Sequence, residues 1–558
     1  MAEYDVCIVG SGAGGGPVAA RLAAAGRAVV VLEKGPWAHE ADFYKDERAM
    51  VARRAWKSGL VAEPRVLEDR NADGTWTAAS TATSERDYWN GNLVGGATNF
   101  MSGYFHRLKP LDFRLRSEFG PVAGADVVDW PIAYDDLEPW YAHVEHAVGV
   151  SGRIVAHPHA EPRSTPDLPW PPTAEHPFAA RIDQHCGAVG MHPFPVARAI
   201  LSRPQGRRRA CEYSGYCGGY GCASGAKGSA RAALLDAAVA GGHCEVRPHA
   251  HVTRLLSDAT GRVTAAEYRD GRGMTRQVTA RLFVLAAQAI ESCRLLLLSP
   301  GPRHPQGLAN ASGLVGRNLV FSSAALGSGE FDIDALPGAE AAALARPGPF
   351  VNRALQDWYV IDDPALGGRR KGGTLELVEP HPNALPRANG LKWDAHGKLV
   401  WGVPLQRRLV HEFRRVRRLN FEVFADWLPN PDCHVRLDPS VRDAWGVPVA
   451  RVKLGYHAEN APVAAFLAAR GEDALRACGA SGVHSRIYDS PPPNLVAGGC
   501  RFGTDPATSV LDPDCRAHTV DNLFVTDGSF MPTGGSVPYT WTIYANAFRV
   551  AERIVDQL

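Results

Sequence analysis

The chain has 558 residues, more than one compact core ordinarily organises, so length alone predicts two or more structural units. Its composition, 45% hydrophobic and 21% charged, is that of a globular protein. Sixty basic residues against 59 acidic ones leave a formal net charge of +1, which argues against nucleic acid or an anionic membrane as the main partner.

The N-terminus, Met1-Ala2-Glu3-Tyr4-Asp5, runs into a strand-like segment without a basic n-region, so no secretory signal is read and a cytoplasmic location is expected. Export alongside a signal-bearing partner would leave no mark here, so a periplasmic location by that route stays open. No apolar run approaches the roughly 18 residues of a membrane span, and no integral membrane segment is expected.

Residues 5–9 are short, apolar and β-branched, which predicts a buried strand. Gly10-Ser11-Gly12-Ala13-Gly14-Gly15 breaks it, and residues 17–25 read as a helix ended by Gly26. Residues 28–32 form a second strand, closing a βαβ unit. Within this G-x-G-x-x-G pattern Gly10 permits the turn, Gly12 lets a pyrophosphate approach the backbone, and Gly15 allows close packing of helix on strand. Glu33, at the end of the second strand, is placed to accept from ribose hydroxyls and would repel a 2′-phosphate. These features predict a dinucleotide site without separating FAD from NAD.

Further strands are expected at 244–247, 263–268, 282–286 and 522–526, and Ile543, Ala547, Val550 and Ile554 at helical spacing predict a terminal helix. Between about 325 and 480 the chain is rich in turns. Strand-like segments at 419–425 and 433–437 there suggest an antiparallel sheet. The fold class is therefore α/β: a Rossmann-like nucleotide domain built from discontinuous segments, plus a substrate domain with an antiparallel sheet. The expected division is 1–320, including a cysteine-rich loop at 205–228, then 321–485 as mainly substrate domain, and 486–558 as a closing segment.

Most of the eleven cysteines stand singly in apolar segments. Cys211, Cys217 and Cys222 instead share 12 residues with four glycines. Such spacing suits an iron–sulfur cluster or zinc, and equally a tight glycine loop with free thiols.

Four blocks resemble the glucose–methanol–choline (GMC) family of flavoproteins. They are the N-terminal fingerprint; Asn92 to Asn99, with Gly95 and Gly96; Gly498 to Asp512; and Asn522 to Pro532, with Asp527 and Gly528. The resemblance implies FAD rather than NAD, with Gly95, Gly96 and Asn99 along the flavin, Asp527 and Gly528 in the closing segment, and Val252 near the adenine. Gly534-Gly535-Ser536 precedes the terminal helix, with Ser536 as its expected N-cap. That helix N-terminus would stabilise reduced, anionic flavin. The cysteine loop is similar to that of iron–sulfur sugar dehydrogenases in the family, in which three cysteines hold a [3Fe–4S] cluster that passes electrons to a cytochrome. Here the last gap is four residues rather than three, and no fourth thiolate is evident at Ser214 or Ala223.

Alcohol oxidation needs a base for the hydroxyl proton. The family's usual histidine and histidine-or-asparagine positions fall on Leu495 and Pro538, neither of which carries a proton. Tyr539, His484 and Asn494 are the candidate replacements, with His457 also within reach of the fold. The leading expectation is an FAD-dependent dehydrogenase acting on a CH–OH group of a sugar, polyol or sugar-derived metabolite. Its partners are then that small molecule and a cytochrome or small electron-transfer or export subunit. The alternatives are a desaturase or other redox enzyme on the same fold, and an electron-transfer flavoprotein subunit without its own turnover.

Overall fold

The apolar run Tyr4–Val9 becomes the central strand of a seven-stranded sheet in a computed structural model of the protein. The structure describes residues 3–558 apart from 44–55, 57–61, 72, 85, 87, 89, 90, 347, 381–383, 395 and 493. Met1 and Ala2, part of the N-terminal signal reading, lie outside the described residues. Tyr4–Val9 pairs in parallel with Val29–Leu32 on one side and with Thr275–Leu285 on the other, and Cys244–Arg247 extends the sheet beyond Val29–Leu32. Strands buried on both faces in this way read as unbroken apolar runs, and Val6, Cys7 and Ile8 have no exposed surface.

Thr275–Leu285 serves two neighbourhoods. Its first half pairs antiparallel with Val263–Arg269, which in turn pairs with His251–Ser257. Its second half pairs in parallel with Tyr4–Val9 and with Leu523–Val525. The closing segment of the chain thus completes the N-terminal sheet. The helix Gly15–Ala24 packs against the terminal helix Thr540–Gln557, which also contacts Tyr134–Val144.

A six-stranded antiparallel sheet forms a second layer, in the order Ser481–Ile487, Ser323–Asp332, Val416–Ala425, Gly373–Val378, Arg353–Leu355, Phe194–Pro195. Side chains alternate between its faces. Leu419, Phe421 and Val423 join Leu467 and Ala468 of the helix Asn460–Ala477 in one apolar cluster. Asn420, Glu422 and Phe424 therefore point the other way, into a large cavity.

The hairpin Cys433–Arg442 and Pro448–Leu454 does not join this sheet. It belongs to a second six-stranded sheet with Val66–Arg70, Trp76–Ser80, Arg317–Val320 and Ala497–Gly499. The piece 321–485 thus serves two sheets, because cross-strand pairing follows register and burial rather than order along the chain.

Candidate active site

One cavity of about 800 Å³ runs from the glycine loop at residues 10–14 to the antiparallel sheet. At its nucleotide end the local geometry is fixed by hydrogen bonds between distant segments. Ser11 Oγ donates to Glu33 Oε2 at 2.5 Å and accepts from the Gly95 amide at 2.9 Å. Glu33 Oε1 accepts from the Gly35 amide at 3.0 Å. Burial raises the Glu33 carboxyl above the usual carboxylate range against these bonds. Asn99 Nδ2 donates to the carbonyls of Val94 and Gly96 at 3.0 and 2.9 Å, which closes the turn around Gly95. Gly95 has φ of +91°, and a Cβ there would meet Asn99 Nδ2 at 2.8 Å, so a side chain is excluded twice over.

Two fingerprint glycines differ in what surrounds them. A Cβ on Gly15 would lie 1.9 Å from the Gly10 carbonyl oxygen, so the helix sits directly on the turn. A Cβ on Gly12 would meet nothing within 4 Å, because this backbone faces the cavity. No side chain caps the N-terminus of Gly15–Ala24; the Gly16 amide donates to the Gly12 carbonyl at 2.9 Å and Pro17 has none, so the positive end of the helix dipole is what this terminus offers an anion. Val252, from His251–Ser257, lines the same end. Asp527 accepts from the Ser529 amide at 2.9 Å and from the Ser292 hydroxyl, and Thr526 Oγ1 donates to the Gly14 carbonyl at 3.0 Å. An open backbone at Gly12, an uncapped helix and a buried acid at the second strand's end fit the phosphates and ribose of a dinucleotide.

Asn494, Leu495, Pro538, Tyr539 and Thr540 line the middle of the cavity. The Tyr539 hydroxyl donates to the Leu495 carbonyl, and burial, then Asp426, holds the phenol well above its ordinary range. It is therefore a spent donor and not a base. Asn494 Oδ1 accepts from Ser323 Oγ at 3.5 Å. His484 is placed elsewhere: it is exposed on the edge strand Ser481–Ile487, paired opposite Ser328, its Nδ1 3.0 Å from the Gly482 carbonyl oxygen. His457 Nε2 lies 2.9 Å from the Ala123 carbonyl oxygen, and neither histidine lines the cavity.

Ser536 is not the cap of the terminal helix. That helix starts at Thr540 with Tyr539 at the cap position and no side-chain cap, while Ser536 Oγ donates to the Gly372 carbonyl at 2.9 Å and bonds Asp426 at 3.0 Å. Pro538 cannot begin the helix at Ser536, since the residue before a proline is biased toward extended backbone. The helix still opens onto the cavity with its first amides uncapped.

Glu422 is the cavity residue that sequence reasoning passed over. The available signal was the alternation Leu419-Asn420-Phe421-Glu422-Val423-Phe424, which places an acid on the face opposite a clearly apolar one. Burial first, and then the neighbouring Glu376, push its carboxyl up to about 7.

Cys211, Cys217 and Cys222 line one small cavity of about 40 Å³ with Tyr213, Lys227 and Phe350. Burial pushes the Cys211 thiol up to about 12. Burial opposes ionisation of Cys222 too, but the Lys227 charge and hydrogen bonding from Ser224 outweigh it and lower that thiol. Among the described residues, no group of three His, Cys, Asp or Glu is gathered as a single metal ion requires. Among them also, no helix is long and apolar enough to cross a membrane.

Family models described as GMC oxidoreductase match residues 201–322 and 429–547. The paromamine 6'-oxidase of Streptomyces fradiae is 33% identical, covering 100% of this chain and 92% of the relative. The chain belongs to the GMC oxidoreductase family. The 6'''-hydroxyparomomycin C oxidase of Streptomyces lividus is 31% identical over the same shares. Among solved structures, formate oxidase of Aspergillus oryzae RIB40 superposes with a TM-score of 0.65 at 15% identity over 99% of this chain and 98% of its own, a likeness of fold. This GMC oxidoreductase is an FAD-dependent enzyme acting on CH–OH groups. Its α/β architecture is that expected from the βαβ unit and the closing segment.

Proposed function

We propose that this enzyme oxidises an alcohol carbon of a polyhydroxylated, sugar-derived metabolite, with the flavin seated where the cavity passes between the N-terminus of Thr540–Gln557 and the antiparallel sheet. The observation that carries the reading is continuity. A single cavity joins the dinucleotide-shaped end to a sheet face bearing Asn420, Glu422 and Phe424. Polar groups beside an aromatic ring suit a hydroxylated ligand, and the two relatives above are named as oxidases of paromamine and of 6'''-hydroxyparomomycin C.

In this reading Gly10, Gly12, Gly15 and Glu33 hold the pyrophosphate and ribose of FAD, Val252 lies by the adenine, and Gly95, Gly96, Asn99, Asp527 and Gly528 shape the flavin bed. FAD, when bound, supplies the acceptor for a hydride. The protein's part is to orient the carbinol, exclude water and take the hydroxyl proton. The uncapped start of Thr540–Gln557 offers its amides to negative charge developing nearby.

The cysteine loop belongs to the same proposal. Three thiols around one cavity several times the size a water needs support an iron–sulfur cluster, whose irons spread their ligands more widely than one ion does. A cluster there would carry electrons onward to a separate carrier, a cytochrome or a small electron-transfer subunit. Leu495 and Pro538, both on the cavity wall, favour one competing reading, a desaturation at the same flavin.

An anaerobic absorption spectrum with iron and sulfide assays, before and after a panel of sugars and polyols, tests all three. Flavin bleached by an alcohol, with a carbonyl product, supports the oxidation. Loss of two hydrogens across a carbon–carbon bond supports desaturation. Absence of both iron and sulfide removes the cluster.

A further inference from the structure

We propose that Glu422 is the proton acceptor of this enzyme, standing on the antiparallel sheet in place of the side chains that Leu495 and Pro538 cannot provide. The inference rests on the reading of the protein as an alcohol oxidoreductase.

The position follows from register. Ser322 Oγ donates to the Val537 carbonyl at 3.0 Å, and Ser323 Oγ to Asn494 Oδ1 at 3.5 Å. The Leu495 and Pro538 walls thus hang from the start of Ser323–Asp332. Ser323 pairs with Phe424, and Leu326 pairs with Glu422. Phe424 and Glu422 project from the same face into the cavity, one pleat repeat apart, or about 7 Å. Beyond Asp426, whose carboxylate accepts from the Gly535 amide and the Ser536 hydroxyl, Glu422 is therefore the first acid of this strand that lines the cavity.

Elimination supports it. Of the other acids of the cavity, four are hydrogen-bonded and Glu379 lies toward a different element. Glu33 is held by Ser11, Glu291 by Arg65, and Asp527 by Ser292 and Ser529. Glu412 is clamped by Arg387 and Arg418 at 2.5 and 2.9 Å. Glu379 lies past the end of Gly373–Val378, 3.4 Å from His176. Among the described residues the Glu422 side chain has no hydrogen bond and no ion pair, although it lines the cavity.

The groups facing Glu422 set its behaviour. Glu376 sits directly across from it on Gly373–Val378 and binds His106 Nε2 through Oε1 at 2.6 Å. Tyr104 lines the same cavity within reach of the Glu376 and Glu422 charges, while Tyr488 stands beyond Ser323–Asp332 with Arg486 over its ring. Burial and the like charge of Glu376 favour the protonated form of Glu422, which makes its carboxylate a stronger base than an exposed one. In the reaction the carbinol carbon would give up its hydrogen with the electron pair, for which FAD, when bound, would supply the acceptor. The O–H proton passes to the Glu422 carboxylate, and the C–O bond becomes C=O. The proton then returns to solvent through the cavity, and bound FAD would supply the two-electron sink, passing those electrons to a separate carrier.

The test compares wild type, Glu422→Gln and Glu422→Asp as holoenzymes. Anaerobic flavin reduction by the best alcohol donor should slow ~10²–10⁴-fold in Glu422→Gln, the usual share of a general base, and less in Glu422→Asp. In wild type the reduction rate should rise with pH to a plateau with a midpoint near 7, and this limb should vanish in Glu422→Gln. Infrared difference spectra of the protein across a pH jump give a second readout. A protonated-carboxyl band titrating near 7 in wild type, and missing from Glu422→Gln, supports the assignment. A Glu422→Gln enzyme within threefold of wild type, an unchanged pH limb, or a Glu422 band in the ordinary carboxylate range overturns it. A wild-type flavin that no alcohol reduces overturns instead the reading on which it rests.

Discussion

Tyr539 and Leu495 are joined by a hydrogen bond from the phenolic hydroxyl to the backbone carbonyl, across the cavity wall where the family's proton-handling residues would stand. Leu495 has φ of +55°, an unusual conformation for a branched side chain, and this bond helps hold it there. Tyr539→Phe should leave that carbonyl unsatisfied and cost about 1–2 kcal/mol of stability, read as a lower midpoint of thermal unfolding. The pH profile of flavin reduction should not move, because the phenol stays protonated throughout. A profile that loses a limb in this variant would make Tyr539 the base.

On the proposed cofactor site, Gly12 and Gly15 should separate cofactor binding from folding. Gly12→Ala adds a methyl where only the cavity lies, so the chain should fold with native far-ultraviolet circular dichroism yet bind FAD at least ~10-fold more weakly, a loss of about 1.4 kcal/mol. Gly15→Ala drives a methyl into the Gly10 carbonyl oxygen and should yield little folded protein. FAD content per folded chain, measured after gel filtration, checks both.

Lys227 ties the cysteine loop to the Asn99 turn, part of the proposed flavin bed. Its Nζ donates to the carbonyls of Asn99, Cys217 and Tyr220 at 3.1, 3.0 and 2.8 Å, and only 3% of the residue is exposed. Lys227→Met removes all three bonds at once. The expected result is a lower FAD occupancy together with faster labelling of Cys217 and Cys222 by a thiol reagent. If labelling accelerates while occupancy holds, the two sites are not mechanically linked.

Acid and alkali should destabilise the protein for different reasons. Burial depresses His157, His176 and His251 to about 4 each. The unfolded chain takes up a proton on each near ~6.5, so stability is lost as pH falls from there toward about 4. Glu379, raised to about 8 by burial, works in the opposite sense. The native state keeps a proton that the unfolded chain releases near ~4.3, so its contribution declines as pH rises toward 8. Glu379→Gln should therefore raise the unfolding midpoint relative to wild type by more at pH 9 than at pH 5. An offset independent of pH would refute the raised carboxyl.

What was legible in the sequence was local. The strand, glycines, helix and acid of the fingerprint lie within about thirty residues, and the structure reproduces them as Tyr4–Val9, Gly15–Ala24 and Val29–Leu32. Thr275–Leu285 was read only in its second half, because its first half alternates exposed and buried residues on an antiparallel edge. Asn460–Ala477 went unread because its buried face is made largely of Ala and Gly, whose apolar signal is weak. Glu422 was out of reach for a different reason. Alternation shows that two faces exist, but not whether the polar one meets water or a cavity. That depends on Asn494 and Tyr539, more than seventy residues away in the chain.

The pairing of Leu523–Val525 with Phe283 to Leu285 also sets an order of events during synthesis. The fingerprint leaves the ribosome first, yet the strand and the Asp527 turn that finish its surroundings emerge more than five hundred residues later. At translation rates of ~5–20 residues per second, the nascent enzyme spends about half a minute or more with an incomplete nucleotide cradle. On the proposed cofactor site flavin capture is then a late event, and a chain cut short before residue 523 would be left with an open sheet edge beside an incomplete cradle.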